Sequence, residues 1–166
     1  MRPIILAAIL LLNACATTHL PINQGTFSEE TPSTALEKDG VGKRVRWGGP
    51  IISVASFREA SCFEVLSRPL DSYGEPRQTD TTEGRFIACS AQFLDPAAYP
   101  AGRHLTISGT VQPPTSCKIG EHERACPRVN IDALHLWPKR EQCLQTPYCN
   151  DLFWGHRWPF WPWRYP

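Results

Sequence analysis

The chain carries a single methionine, no surplus of either charge, and no apolar run approaching the ~20 residues a membrane-spanning helix requires. Lys and Arg total 17 against 16 Asp and Glu, so there is no basic field to attract nucleic acid and no acidic excess. It also lacks G-x-S-x-G, H-E-x-x-H, C-x-x-C and a phosphate-binding glycine loop, the motifs that place a nucleophile, a metal or a nucleotide at fixed spacing. Long helices are disfavoured too, because 16 prolines in 166 residues interrupt nearly every stretch. These absences exclude a helical bundle, a polytopic membrane protein and the common motif-bearing enzymes. What the chain does have is cysteine, seven in all, and tryptophan, six. Cysteine at that density points to an oxidising compartment or a metal site.

The N-terminus places Arg2 before the apolar run Pro3–Leu12, followed by Asn13, Ala14 and Cys15. One positive charge, a short apolar stretch and small residues form the layout of an export signal. Leu12-Asn13-Ala14-Cys15 resembles a bacterial lipobox, in which cleavage leaves the cysteine first and lipid-bearing. The expectation is a signal peptide over 1–14, lipid on Cys15, and no metal or cofactor. Assigning Cys15 to lipid leaves Cys62, Cys89, Cys117, Cys126, Cys143 and Cys149, an even set available for pairing. Ala16 stands where enterobacterial lipoproteins kept in the inner membrane resemble one another in having aspartate, so the resemblance implies the outer membrane.

Residues 15–40 are rich in Thr, Pro, Ser, Asn, Gly and Glu and read as a lipidated tether, flexible at first, with a short helical turn beginning near Thr34. Residues 41–138 read as all-β. Lys43–Ala55 alternates polar and apolar residues around Gly48-Gly49-Pro50, which predicts a long first strand with a bulge or bend, able to serve two sides of a small barrel. Ser61–Leu66, Arg85–Ser90, His104–Val111 and Arg128–Trp137 complete a set of five, the fourth broken at Pro113-Pro114 and the last stopped by Pro138. Five short strands of this kind predict a small five-stranded Greek-key barrel of OB type, flanked by the tether and by a Cys/Trp/Pro-rich tail over 139–166.

Adjacent strands and short loops predict the bridges 62–89, 117–126 and 143–149. Zinc is the rival, with His122 or His135 completing a site, but the cysteines are spread along an exported chain. Ser61, His104 and Asp95 could be drawn as a triad, as could three residues of almost any chain this long. The tail Leu152–Pro166 holds four of the six tryptophans. Its prolines forbid a regular helix, and Trp154, Trp158, Trp161 and Trp163 suit a membrane–water interface, with Arg157 and Arg164 suited to anionic head groups. Packing of these aromatics against the barrel or an envelope protein is the alternative. So dense an aromatic run must contact something.

Taken in order, Val45–Val54, Arg68–Asp71, Gly84–Ala88, Phe93–Pro96, Tyr99–Arg103 and Leu134–Pro138 resemble the Slp family of starvation-inducible outer-membrane lipoproteins of Gram-negative bacteria. The resemblance runs from Cys15 to about Pro138 and departs from the family in its cysteines. It implies a non-enzymatic lipoprotein anchored in the outer membrane with its barrel facing the periplasm, and an envelope structural or stress role. The competing expectation is a periplasmic oligosaccharide- or protein-binding module using the face of strands two and three, with Phe63, Arg85 and Phe86 as its contacts. Neutrality of the mature chain argues against nucleic acid as a partner.

Overall fold

The computed structural model describes residues 20–37 and 40–139. Cys15, Cys143, Cys149 and the aromatic tail, with the expectations given for them above, lie outside the described residues.

Five strands carry the fold: β1 (Arg44–Ser56), β2 (Ser61–Ser67), β3 (Gly84–Ser90), β4 (His104–Ile119) and β5 (His122–Leu136). Their order around the sheet is β1-β2-β3-β5-β4, and β4 pairs back with β1, so the sheet closes into a ring. β1 does join two neighbours. Residues 44–50 pair antiparallel with β4, and residues 51–56 pair with β2 across a register shift between Ile51 and Ser53. The shift follows directly on Gly48-Gly49-Pro50, where the strand must bend to change partners. The β3–β5 seam is parallel and only three residue pairs long, Ile87 with Arg128, Ala88 with Val129 and Cys89 with Asn130.

Alternation along the strands decides what lies inside. In β2, Ser61, Phe63, Val65 and Ser67 are buried, while Cys62, Glu64 and Leu66 are half-exposed. Phe63 and Val65 join Val45, Trp47, Ile51, Phe86, Ala88, Leu105, Ile107, Val111 and Val129 in one core. Trp47 meets Phe86 edge-on at 5.3 Å between ring centroids, and Phe63 meets Tyr99 in the same way at 5.2 Å. Full burial of an aromatic or branched side chain contributes about 1.5–3 kcal/mol, so this set supplies the main apolar driving force.

Two expectations need correction. Pro113-Pro114 does not end β4. The strand continues to Ile119, and a register shift between Gln112 and Thr115 takes up the two prolines. The pairings with β1 and β3 stop at Thr110 and Arg128, so from there β4 and β5 run on as a two-stranded arm. On an edge strand at a bulge, the missing N–H groups cost little.

The second correction concerns the tether. From Leu20 onward it is packed against the ring. Ile22, in the 3-10 turn Pro21–Asn23, is fully buried on β4 and β5, and Pro32 and Ala35 of α1 (Pro32–Glu37) are buried too. Ser28 N–H donates to Arg44 O, and Ser33 N–H to Glu83 O, which tie the segment to β1 and to the loop before β3. Its polar composition concealed three apolar anchors at wide spacing.

Candidate functional site

The cysteine pattern is the most specific chemical feature of the described residues, and the strands explain it. Cys62 and Cys89 are direct cross-strand partners in the β2–β3 ladder, and they form a disulfide on the outer side of the ring. Cys117 and Cys126 lie diagonally across the arm, where Cys117 pairs with Arg124 and Thr115 with Cys126, and they form a second disulfide. Both bridges match the pairing read from the sequence. The zinc alternative loses its thiolates at these four positions, since each is spent in a bond. His135 packs edge-on against Trp137 with centroids 4.4 Å apart, and His122 opens β5 at the exposed arm tip.

Residues drawn as a triad have structural duties. Ser61 Oγ accepts from Leu94 N–H at 2.9 Å and also lies 3.3 Å from Leu94 O, fastening the connector to β2. Asp95 caps the 3-10 turn Pro96–Ala98 by accepting from Ala97 N–H. His104 begins β4, and its carbonyl accepts from Trp137 N–H.

The binding face expected on β2 and β3 is also corrected. Phe63 and Phe86 are fully buried because they share the inward parity of Val65 and Ala88. Arg85 points outward, but its guanidinium donates to Glu64 at 2.8 Å. These strands therefore offer no stacking platform from the residues named. Exposed aromatics lie elsewhere: Phe57 and Phe93 near the β1–β2 turn, each 59% exposed, and Tyr73 at 74% in the turn before β3.

The sequence reading passed over the surroundings of Tyr73. Asp71 Oδ1 accepts from Tyr73 N–H and Glu75 N–H, closing a tight turn that continues through Gly74 at φ 86°. Asn23 donates from Nδ2 to Tyr73 O, and Arg46 donates to Asn23 Oδ1 at 2.7 Å. Thr106 Oγ1 donates to Gly74 O at 2.7 Å and accepts from Trp137 Nε1 at 2.9 Å. The start of the described chain, the Tyr73 turn and the residue just past β5 are thereby joined. Asp-Ser-Tyr-Gly was a turn signal in the sequence, but nothing local announced which distant segments it would meet.

A second cluster stands at the start of β1. Arg44 and Arg46 place their guanidinium carbons 5.3 and 5.2 Å from the centre of the Phe27 ring. Beside it is a cleft of about 340 Å³ lined by Phe27, Glu30, Arg46, Trp47 and Glu83 among others. Trp47 Nε1 donates to Glu30 O, and Lys43 pairs with the Glu30 carboxylate. These contacts fasten the segment before α1 to the ring.

With the geometry established, comparison with known proteins decides the affiliation. The model of the outer membrane lipoprotein Slp family matches residues 12–166. The chain belongs to that family. The outer membrane protein Slp of Escherichia coli (strain K12) is 32% identical to this Slp-family chain over 126 residues, covering 76% of it. An uncharacterized protein of Haemophilus influenzae is 28% identical over 127 residues, covering 74%. The matches span 66% of the length of each relative. Among solved structures, a small single-stranded DNA-binding protein from Streptomyces coelicolor is similar with a TM-score of 0.39 at 13% identity, covering 60% of this chain and 98% of that one.

Proposed function

We propose that this Slp-family chain is a non-enzymatic outer-membrane lipoprotein, held by lipid on Cys15 after removal of residues 1–14. Its ring faces the periplasm and serves an envelope structural or starvation-related role. The observation that carries the reading is the extent of the family match. It begins at residue 12 and so includes Leu12-Asn13-Ala14-Cys15. The packed segment beginning at Leu20 supports it, because only a few residues separate the lipid site from the folded part. Strand order β1-β2-β3-β5-β4, with β1 shared between two partners, supports a Greek-key ring of OB type.

The aromatic tail acts in this reading as a second contact with the membrane or an envelope protein, through Trp154, Arg157, Trp158, Trp161, Trp163 and Arg164. That role rests on composition alone. A binding module remains the other reading, and it moves from β2–β3 to the rim where Phe57 and Phe93 are exposed.

The test is Cys15→Ser in the full-length chain. It should leave unprocessed precursor that is lost from the outer-membrane fraction. Normal processing and co-sedimentation with outer membranes would overturn the lipid-anchor reading.

A further inference from the structure

Cys15 and Leu20 are five residues apart. At a maximum of about 3.6 Å per residue, the lipidated cysteine lies no more than about 18 Å from Leu20. A domain of this size has a diameter of about 35 Å. A tether shorter than the domain forces the side nearest Leu20 towards the lipid, and the structure specifies that side.

Leu20–Asn23 is fixed in place. Ile22 is fully buried on β4 and β5, and Asn23 is hydrogen-bonded to both Arg46 and Tyr73. Gly74 sits so close that a Cβ there would lie 2.9 Å from Asn23 Oδ1 and 3.6 Å from Ile22 Cδ1. From Gly74 the Thr106 hydroxyl leads to Trp137, whose carbonyl accepts from Arg103 Nη2 at 2.7 Å. Pro138 and Lys139 follow, both exposed. Both ends of the described chain are thus tied to the Tyr73 turn, the first through Asn23 and the last through Thr106 and Trp137, and Tyr73 stands out from that turn at 74% exposure. A tyrosine ring with its hydroxyl at the tip is suited to the head-group region, and the Lys139 ammonium suits anionic phospholipid. Phe57 and Phe93 lie at a different part of the ring. Ser56 and Ser61, which flank the β1–β2 turn, both hydrogen-bond to Leu94.

We propose that the surface formed by Leu20, Tyr73 and Lys139 is the one the protein lays on the phospholipid bilayer, with Tyr73 entering the head-group layer and the Phe57/Phe93 rim turned away. This rests on the lipid-anchor reading above and adds an orientation to it. Leu20 and Lys139 then leave the ring on its membrane side.

Hydroxyl-radical footprinting tests it on the lipidated full-length protein, compared between detergent-free vesicles of phosphatidylethanolamine and phosphatidylglycerol and the unlipidated chain in solution. Tyr73 should lose at least about three-quarters of its modification rate on vesicles, while Phe57 and Phe93 keep theirs. Flotation with the vesicles with Tyr73 still fully reactive, or with Phe57 and Phe93 protected instead, would overturn the orientation alone. Failure of the lipidated protein to float would overturn the anchor reading and the orientation with it.

Discussion

Gly49 shows how a single missing side chain lets the ring close. It sits where β1 leaves β4 for β2, and a Cβ there would fall well inside the contact distance of Leu66 O. Arg68 N–H donates to Gly48 O just beside it, so the end of β2 is drawn tightly over the bend. Gly109 makes the same allowance on β4, where the Asn130 carbonyl crosses. Because the obstacle is backbone and not a flexible side-chain tip, relief requires strands to separate. Gly49→Ala is therefore expected to cost at least about 3 kcal/mol, at the upper end of overpacking penalties. Urea denaturation of the variant and the parent measures it. A loss below about 1 kcal/mol would show that the bend has room the packing does not reveal.

At the scale of elements, the arm formed by the ends of β4 and β5 differs from the rest of the sheet. Among the described strands none pairs with either of its edges, and a two-stranded ribbon alone is marginal in water. Cys117 and Cys126 are buried within it, and their bridge restricts the opened form. For a loop of this size the bridge contributes about 2–3 kcal/mol. In the double variant Cys117→Ser, Cys126→Ser, amides 115–126 should exchange up to about 100-fold faster while those of Val45, Trp47 and Ile107 keep their protection. Unchanged exchange in the arm would show that the bridge is redundant. Loss of protection throughout would show that arm and ring open together.

The same arm shows where sequence patterns stop being legible. Alternation located all five strands to within a few residues in the ring, because there one face is buried and the pattern is enforced. Past Val111 neither strand of the arm keeps the ring's alternating burial. Residues 113–116 are all exposed, and with no alternation to read, Pro113-Pro114 looked like a stop. Two of the three predicted bridges fell within the described strands because neighbouring strands and hairpins follow from chain order. Phe63 and Phe86 were misassigned for a different reason. Composition made them candidate ligand contacts, but their parity with Val65 and Ala88 already placed them inside. Ile22 carried no local signal at all, since its partners, Gly74 and the strands β4 and β5, are more than fifty residues away.

At the scale of the molecule, among the described residues the core is complete before Pro138, and Trp137 closes the backbone there by donating to His104 O. Truncation after Gln142 should thus leave the fold intact. The unlipidated chain 16–166 is expected to bind vesicles containing anionic lipid, with a blue shift of tryptophan emission, and the truncated chain to lose that binding by at least about tenfold. Equal binding by both would reject the tail as a membrane contact, and unfolding of the shorter chain would assign its aromatics to the core.

The seat of Ile22 has a consequence in time. A polypeptide is made from its N-terminus. Yet the surface that receives Ile22 is built from β4 and β5, the last strands to emerge. The residues that open the described chain must therefore wait for β4 and β5 before they find their place. Until then Leu20–Asn23 has no surface to dock on, and it gains a fixed orientation only when β5 arrives. What is synthesised first is seated last.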